Sequence, residues 1–243
     1  MNRSLTDNVA VVTGASSGIG RATAYAMGEA GAQVVVTARR TDRIEEVARR
    51  INEAGGQAIA VTADVTNADD VDRLYDVAIE AFGRVDILFN NAGVSSYGPL
   101  DTITVEDYDW MMNTNMRSSF LCTRRFLPDM LVRQRGQLCF LASVAGLKGL
   151  PNETVYCASK FAQVGFAQAL DYETRESGIK VSVVAPGGVH TEFAIGTGRI
   201  EGDPALDAMM EPEDIAEAVM FALTQPEKAR TFLIGMRPMS EPL

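Results

Sequence analysis

The chain has 243 residues, of which 47% are hydrophobic and 22% charged, and its formal net charge is −10 at pH 7. This composition is typical of a globular protein and excludes a disordered chain, and the acidic balance argues against nucleic acid as a partner, because phosphate backbones are bound by basic faces. The opening residues lack the apolar core of a signal peptide, and no apolar run approaches the length of a membrane span. We therefore expect a cytoplasmic protein without membrane contact, folded as a single domain over residues 1–243.

Strand-like and helix-like runs alternate along the whole chain. Apolar runs typical of strands that are covered on both faces occur at residues 9–12, 33–38, 57–64, 85–93, 137–143 and 179–187. Helical patterns such as residues 42–56 and 68–83 lie between them. The alternation predicts an α/β fold with a mostly parallel sheet and helices on both of its faces.

Two segments interrupt this alternation. Residues 104–135 form a long helical pattern that contains the only tryptophan, Trp110, and Pro128, which would kink or end a helix. Residues 188–211 follow the last apolar run and show no strong periodicity. Ligands of open α/β sheets bind beyond the carboxyl ends of the strands, so this second segment is either a lid over a site or a plain connecting loop. Its length favours the lid, since structureless loops this long are uncommon without a function.

Three glycines, Gly14, Gly18 and Gly20, follow the first predicted strand in the stretch TGASSGIG and precede a predicted helix. Glycines at such a junction allow a tight turn, a close approach of a pyrophosphate to the backbone, and close packing of helix on strand. An ordinary strand-to-helix turn is the alternative. The position of the cluster at the first junction of an alternating chain favours dinucleotide binding.

The end of the second predicted strand indicates which dinucleotide is bound. A carboxylate there would bind the free 2′-hydroxyl of NAD, whereas an arginine holds the 2′-phosphate of NADP. This chain has Arg39 and Arg40 at that point, and its next acidic residue is Asp42. We therefore favour NADP(H), with NAD(H) as the second choice. The alternative is that both arginines only begin a solvated helix.

Tyr156 and Lys160 lie four positions apart in a helical pattern around YCASK, and therefore on one helix face. An ammonium group beside a phenol lowers the phenol pKa from about 10, which makes tyrosine usable in acid–base catalysis. Ser143 ends the fifth predicted strand, where its hydroxyl can hydrogen-bond a substrate carbonyl oxygen. Asn115 is a polar amide inside the long helical pattern, and it either has a buried partner or is exposed.

The cysteines give no sign of a disulfide framework or a metal site. Cys122, Cys139 and Cys157 are widely spaced, and His190 is the only histidine. Cys157 lies next to Tyr156, and we interpret it as a small buried side chain. We therefore expect no metal ion in this protein.

The motifs TGASSGIG, NNAG at residues 90–93, YCASK, and PGGVHT at residues 186–191, with Asn115 and Ser143, resemble in order and spacing those of the short-chain dehydrogenase/reductase family. The resemblance extends over essentially the whole chain and implies a Rossmann-like, doubly wound fold with a nicotinamide cofactor. It implies that Tyr156 is the proton donor and that Lys160 lowers its pKa and binds the nicotinamide ribose. Ser143 matches the serine that orients the substrate, and Asn115 matches the residue that holds a water in the proton relay.

The same resemblance implies where the dinucleotide is bound. Asp64 matches the residue that hydrogen-bonds adenine, Asn91 lies where the family contacts the adenine ribose, and residues 186–191 match the segment that fixes the nicotinamide carboxamide. His190 has no catalytic counterpart. The expected cofactor contacts are Gly14, Ser16, Ser17, Gly18, Ile19, Gly20, Arg39, Arg40, Asp64, Val65, Asn91, Ala92, Gly93, Tyr156, Lys160, Pro186, Gly187, Val189 and Thr191.

The preferred hypothesis is an oxidoreductase that transfers a hydride between NADP(H) and a ketone, an aldehyde or a secondary alcohol, with Tyr156 as proton donor or acceptor. A dinucleotide-binding sensor or scaffold of the same fold is the alternative, because a fold does not imply a function. Such a protein would have no reason to keep all four catalytic residues. An epimerase or dehydratase of nucleotide sugars would usually need a larger substrate region.

The substrate pocket is expected near residues 94–97, 145–150 and 189–210. Apolar side chains available to close over a weakly polar small molecule are Phe193, Ile195, Met209 and Met210. Arg199 is expected to be solvated and not to anchor a substrate carboxylate.

Assembly is indicated only by the resemblance. The helix from residue 107 and the helix after Tyr156 look like those that pair between subunits in this family, which implies a homotetramer. The C-terminal stretch MRPMSEPL either reaches a neighbouring subunit or frays.

Overall fold

A computed structural model describes residues 4–241, and residues 1–3 and 242–243, the two ends of the expected domain, lie outside the described residues. Within that range, seven strands form one sheet in which all neighbours run parallel, in the order β3-β2-β1-β4-β5-β6-β7. The strands are β1 (Val9–Thr13), β2 (Gln33–Ala38), β3 (Gln57–Thr62), β4 (Ile87–Asn90), β5 (Gly136–Leu141), β6 (Ile179–Pro186) and β7 (Leu233–Met236). This order confirms the Rossmann-like, doubly wound fold.

Helices cover both faces of the sheet. They are α1 (Gly18–Glu29), α2 (Thr41–Glu53), α3 (Ala68–Phe82), α4 (Val105–Met112), α5 (Ser118–Arg133), α6 (Thr154–Thr174) and α7 (Pro212–Leu223). Helices α1, α2 and α7 contribute to the core on one face, and α3, α5 and α6 contribute to the core on the other. Across residues 4–241, every helix is too short or too polar to cross a membrane.

Strand β1 shows why apolar residues follow one another in this sheet. Val9 and Val11 pack into the core with α3, α5 and α6, whereas Ala10 and Val12 pack into the core with α1, α2 and α7. All four side chains are fully buried. Since burial of a valine side chain is worth about 1.5–3 kcal/mol, both faces of the strand contribute to folding.

The strand order proceeds from β1 toward one edge of the sheet and from β4 toward the other. This change of strand order between the parallel neighbours β1 and β4 places a crevice at their carboxyl ends. Thr13, the last residue of β1, fixes this crevice through its hydroxyl group. The hydroxyl donates to the Phe89 carbonyl at 3.2 Å and accepts from the backbone N–H groups of Asn91 and Ala92 at 3.0 and 3.1 Å. The ends of the two strands are therefore held in a fixed relation.

Residues 104–135 are helical, as predicted, but do not form one regular helix. A π turn over Asn113–Arg117 separates α4 from α5. Helix α5 continues through Pro128, so the prediction that this proline could end the helix is wrong. Pro128 and Arg124, the residue whose carbonyl loses its donor, are both exposed, and water can hydrogen-bond that carbonyl instead.

The sequence placed β2 at its observed bounds and extended other strands beyond theirs. Residues 57–64 and 85–93 shorten to β3 and β4 because the chain leaves the sheet to line the crevice. Strand β7 and helix α7 were not predicted. Strand β7 has only four residues, half-buried or exposed, at the edge of the sheet, so it lacks an apolar run of its own.

Candidate active site

One cavity of about 1120 Å³ lies at the carboxyl edge of the sheet. Every predicted cofactor contact lines it, from Gly14 after β1 to Thr191 after β6. Ser143, Tyr156 and Lys160 line the same cavity, whereas Asn115 lies behind its wall. Parallel strands place all of these segments at one edge, which is why residues so distant in sequence meet here.

The glycine turn after β1 leaves no room for side chains on its packed side. Gly14 has φ +66°, and a Cβ there would lie 2.9 Å from the Cα of Ala92. A Cβ at Gly20 would collide with the Asn91 side chain and the Gly14 carbonyl oxygen. A Cβ at Gly18 would lie 3.0 Å from Thr191 Cγ2. The turn therefore packs directly against the segment after β4, and glycine is the residue that fits at Gly14 and Gly20.

The start of helix α1 is suited to an anion. Its first four residues are Gly18, Ile19, Gly20 and Arg21, so no acidic side chain cancels the positive end of the helix dipole. Unpaired N–H groups at a helix N-terminus bind phosphate. The turn and the helix start together fit the pyrophosphate of a dinucleotide.

The two arginines after β2 differ in their surroundings. Arg39 is exposed and lines the cavity. Arg40 is fixed, because its Nε and Nη2 donate to Ser16 Oγ at 3.1 and 2.8 Å and its Nη2 donates to Ser17 Oγ at 2.8 Å. The guanidinium group of Arg40 is thus hydrogen-bonded to the two serines of the glycine turn.

Asp64 and Asn91 line the cavity through side chains that are partly engaged by the fold. Asp64 Oδ1 accepts from the backbone N–H of Thr66 at 2.9 Å and from its hydroxyl at 2.7 Å. Asn91 Nδ2 donates to the carbonyls of Thr13 at 2.8 Å and Gly14 at 3.2 Å. Asn91 therefore holds the ends of β1 and β4 together at the glycine turn.

Tyr156 lies in the first turn of α6, with 6% of its surface exposed. Its ring packs between Tyr97 and Phe193, at centroid distances of 6.0 and 5.8 Å. Ser143, which follows β5, donates from Oγ to the Pro186 carbonyl at 3.3 Å and accepts from the Ala145 N–H at 3.1 Å. These contacts hold both hydroxyl groups at the cavity wall.

Lys160 is 2% exposed, and its Nζ donates to the Leu141 carbonyl at 2.9 Å and to Gln163 Oε1 at 2.8 Å. The same Nζ lies 5.8 Å from the centroid of the Tyr156 ring. Burial lowers the pKa of Lys160 to about 7. Burial, with Tyr97 adding to it, raises the pKa of Tyr156, and a hydrogen bond with Ser143 acts in the opposite direction. Desolvation is the largest contribution, and it acts against the lowering of the Tyr156 pKa that the sequence predicts.

Asn115 lies in the π turn and is completely buried. Its Oδ1 accepts from the Val94 N–H at 2.8 Å, and its Nδ2 donates to the Val94 carbonyl at 2.9 Å and to Ser159 Oγ at 2.8 Å. Of the two alternatives left by the sequence, the buried partner is the one observed. The amide joins the segment after β4 to helix α6.

A chain of buried hydrogen bonds connects Lys160 to the π turn. Gln163 accepts from Lys160 and donates through Nε2 to Ser119 Oγ at 2.9 Å, and Ser119 Oγ donates to the Asn115 carbonyl at 3.0 Å. Sequence reasoning missed Gln163 and Ser119. The spacing of Gln163 from Lys160, one helical turn, was the available signal, whereas nothing local marks Ser119.

The two ends of the segment 188–211 are hydrogen-bonded to each other. The His190 N–H donates to the Met210 carbonyl at 2.8 Å, and the Met210 N–H donates to the Gly188 carbonyl at 3.2 Å. Between these ends, Thr197 Oγ1 donates to the Ser95 carbonyl at 2.7 Å. Met210 therefore pairs with the start of the segment and does not line the cavity, in contrast to the expectation for it.

Three charged side chains, Glu153, Arg199 and Glu241, also line this part of the cavity. Arg199 is half-buried, and its Nη1 donates to the Val189 carbonyl at 2.9 Å, so the expectation of a solvated arginine is wrong. Burial raises the pKa of the Glu153 carboxyl. Glu241, near the C-terminus, accepts from the Gly188 N–H at 2.7 Å, which places the described part of the tail on the segment 188–211.

The remaining sequence candidates lie apart from these groups. His190 is exposed, with Nδ1 3.7 Å from Glu211 Oε1. Cys157 is buried, and its Sγ accepts from the Leu150 N–H at 3.4 Å. Burial raises the pKa of the Cys157 thiol, which disfavours the reactive thiolate.

Comparison with known proteins shows which family contains chains similar to this one. The family model described as short chain dehydrogenase matches residues 8–199. An uncharacterized oxidoreductase of Staphylococcus aureus (strain USA300) is 36% identical over 235 residues, which cover 97% of this chain and 99% of the relative.

Solved structures share the fold over almost the full length. The alcohol dehydrogenase of the archaeon Thermococcus sibiricus, complexed with 5-hydroxy-NADP, has a TM-score of 0.89 and 27% identity, covering 97% of this chain and 98% of that one. A short chain dehydrogenase/reductase of Burkholderia phymatum in complex with NAD has a TM-score of 0.86 and 31% identity, covering 95% and 89%. With the family model matched over most of its length, this chain belongs to the short-chain dehydrogenase family.

Proposed function

We propose that the protein is an NADP(H)-dependent oxidoreductase that reduces a ketone or aldehyde, or oxidises the corresponding secondary alcohol. The observation that carries the proposal is that Ser143 and Tyr156 share one cavity with the glycine turn after β1. Similarity to an alcohol dehydrogenase complexed with 5-hydroxy-NADP supports it.

The residues present fit a dinucleotide. The glycine turn and the start of α1 would hold the pyrophosphate, Arg39 and Arg40 the 2′-phosphate, and Asp64 the adenine. Lys160 would hold the nicotinamide ribose, and residues 186–191 the carboxamide. A nicotinamide dinucleotide bound there supplies or accepts the hydride.

The side chains of the chain handle the proton. Burial raises the pKa of Tyr156, so its Oη carries the proton at neutral pH and can donate it to a carbonyl oxygen. Ser143 Oγ accepts from the Ala145 N–H, and its one proton, which lies toward the Pro186 carbonyl at 3.3 Å, can turn to the same oxygen as negative charge develops. Asn115 would keep the walls of the cavity in register through Val94 and Ser159.

The substrate class belongs to the same proposal. Tyr97, Leu150, Phe193 and Ile195 line the cavity around Tyr156, which favours a medium-sized, weakly polar carbonyl compound. The charged groups Glu153 and Arg199 lie on the same wall and would meet any polar end of that compound.

The test follows absorbance of NADPH or NADH with a panel of ketones, diketones and aldehydes, for wild type and Arg40→Ala. Turnover with NADPH, and a KM for NADPH raised about ten-fold in the variant, is the expected result. Faster turnover with NADH than with NADPH would refute the cofactor assignment. Tight dinucleotide binding without turnover across the panel would favour a sensor or scaffold over an enzyme.

We also propose that the protein is a homotetramer assembled through α4, α5 and α6. Tyr108, Phe120 and Phe161 on these helices are 44–47% exposed, which leaves apolar surface for a second copy of the chain. Sedimentation of the wild type should give the mass of four chains, and Phe120→Asp with Phe161→Asp should give a smaller one. A wild-type monomer would overturn this part of the proposal.

A further inference from the structure

Glu192, in the segment 188–211, is held by two arginines at the start of α2: Arg40, which precedes the helix, and Arg43 in its first turn. Arg40 Nη1 donates to Glu192 Oε2 at 2.8 Å, and Arg43 Nη1 donates to Oε1 and Oε2 at 2.6 and 2.9 Å. The hydrogen bonds from Arg40 and then Arg43 hold the pKa of the Glu192 carboxyl below its ordinary value, so the group is charged at neutral pH. No sequence motif indicated this cluster, since Glu192 lies 152 and 149 residues from Arg40 and Arg43.

Arg40 therefore has two sets of partners. Its Nε and Nη2 lie on Ser16 and Ser17 of the glycine turn, and its Nη1 lies on Glu192. Arg40 is also the residue proposed to hold the 2′-phosphate of NADP(H). A phosphate that approaches this guanidinium group meets a carboxylate bound to it, and like charges at such distances repel even in water.

The adenosine ribose of NAD(H) carries a neutral hydroxyl group at the same position. Glu192 does not repel this hydroxyl group, and NAD(H) has no 2′-phosphate that could bind the arginines. The carboxylate therefore acts unequally on the two dinucleotides.

We infer that Glu192 is a specificity-determining residue for the dinucleotide: its carboxylate competes with the 2′-phosphate for Arg40 and Arg43 and so narrows the preference for NADP(H) over NAD(H). The inference rests on the proposed function, because it concerns the same dinucleotide site. Neutralising Glu192 leaves two guanidinium groups available to the phosphate, and the affinity for NADP(H) then rises.

The test measures Kd for NADPH and for NADH in wild type, Glu192→Gln and Glu201→Gln. Glu201 is an exposed acid in the same segment, so Glu201→Gln removes one negative charge there and leaves the Glu192 carboxylate in place. Quenching of the fluorescence of Trp110, the only tryptophan, gives the Kd because Trp110 lines the cavity. Glu192→Gln should tighten NADPH binding about five-fold and change NADH binding less than about two-fold. Glu201→Gln should change neither value.

Two results would overturn the inference. One is an unchanged ratio of the two Kd values in Glu192→Gln. The other is weaker NADPH binding, which would mean that Glu192 holds the arginines in place for the phosphate.

Failure of the proposed function gives a different pattern. If the wild type binds NADH as tightly as NADPH while Glu192→Gln shifts the ratio toward NADPH, the NADP(H) assignment fails and the role of Glu192 stands. Binding of neither dinucleotide would overturn both.

Discussion

The two ends of the cavity are built differently. The glycine end, residues 14–20 with 91–93, is made of backbone packed between neighbouring strands, and Thr13 and Asn91 bond directly across it. The loop end, residues 94–97 with 193–211, is joined by separate hydrogen bonds such as Thr197 to Ser95. The sheet therefore fixes the first end, whereas the second can change in sequence and shape without disturbing the sheet.

Tyr156 lies where the two ends meet, and its loss should have the largest effect. Tyr156→Phe removes the proton donor, so the rate of carbonyl reduction with NADPH should fall about 10³-fold. The Kd for NADPH should stay within about two-fold, since the glycine end is unchanged. Steady-state absorbance and tryptophan fluorescence measure the two quantities.

Tyr172→Phe is the matched control, because Tyr172 lies on the same helix with 63% of its surface exposed. Its activity should equal that of the wild type. A Tyr156→Phe enzyme with more than about a tenth of wild-type activity would assign the proton transfer to another group.

Gly14→Ala should damage the glycine end alone. The left-handed backbone at φ +66° and the 2.9 Å approach to Ala92 Cα make any side chain strained, at about 1–3 kcal/mol. NADPH affinity should fall about 100-fold, and the free energy of unfolding in urea should drop in parallel. Gly165→Ala is the control, since, apart from its chain neighbours and the backbone of its own helix, no described atom would lie within 4 Å of a Cβ there. Equal NADPH binding by Gly14→Ala would show that the turn does not approach the dinucleotide.

Gly198→Ala should damage the loop end alone. Gly198 has φ +136°, and a Cβ there would collide with the Tyr97 ring that packs against Tyr156. The value of kcat/KM for the carbonyl substrate should fall about ten-fold while the Kd for NADPH is unchanged.

Gly196→Ala separates collision from strain, because Gly196 has φ +80° and a Cβ at that position would have no described atom within 4 Å. It should lose less activity than Gly198→Ala. A loss of NADPH affinity in either variant would contradict the independence of the two ends.

Asp86 lies at the opposite edge of the sheet, where a change should affect stability and leave both ends of the cavity unchanged. It accepts from the Val9 N–H at 3.0 Å and pairs with Arg84 and Arg133 at 2.9 and 2.7 Å. Burial opposes its ionisation, but these partners outweigh burial and keep the pKa of Asp86 below its ordinary value. A folded-state pKa below that of the unfolded chain stabilises the fold above about pH 4, and the contribution is lost as the pH falls through the folded-state pKa.

Asp86→Asn should therefore lower the free energy of unfolding by about 1–3 kcal/mol at pH 7, and the difference from wild type should shrink below about pH 4. Urea unfolding at several pH values measures it. The kcat should equal that of the wild type, and a change in kcat would connect this edge to the cavity.

The contrast between the two ends also explains what the sequence could predict. The glycine turn, Arg40 and the Tyr156–Lys160 pair are local patterns, and each lies at the predicted edge. Arg199 binds the Val189 carbonyl in a segment that turns at Ala194, whose φ is +61°. No spacing rule anticipates such a turn, so the loop end required the structure.

The buried polar contacts show the same limit. Asn115 meets Val94, 21 residues away, and Glu192 meets Arg40, 152 residues away, and neither pairing leaves a periodic signal. Strand β2, by contrast, is a run buried on both faces, and its bounds were predicted without error. Periodicity predicts elements, whereas polar pairing depends on how those elements are brought together.

The π turn over Asn113–Arg117 has a consequence for helix phase. Each residue of an α-helix advances by about 100°, and a π turn contains one residue more, so side chains after it are rotated by about that angle. Met111 before the turn is fully buried, with its sulfur accepting from the Ser96 N–H at 3.3 Å, and Cys122 after it is fully buried in the core under the sheet. Deletion of one residue here would rotate Met111 away from Ser96 or Cys122 out of the core. The length of this segment is therefore constrained as well as the identity of Asn115.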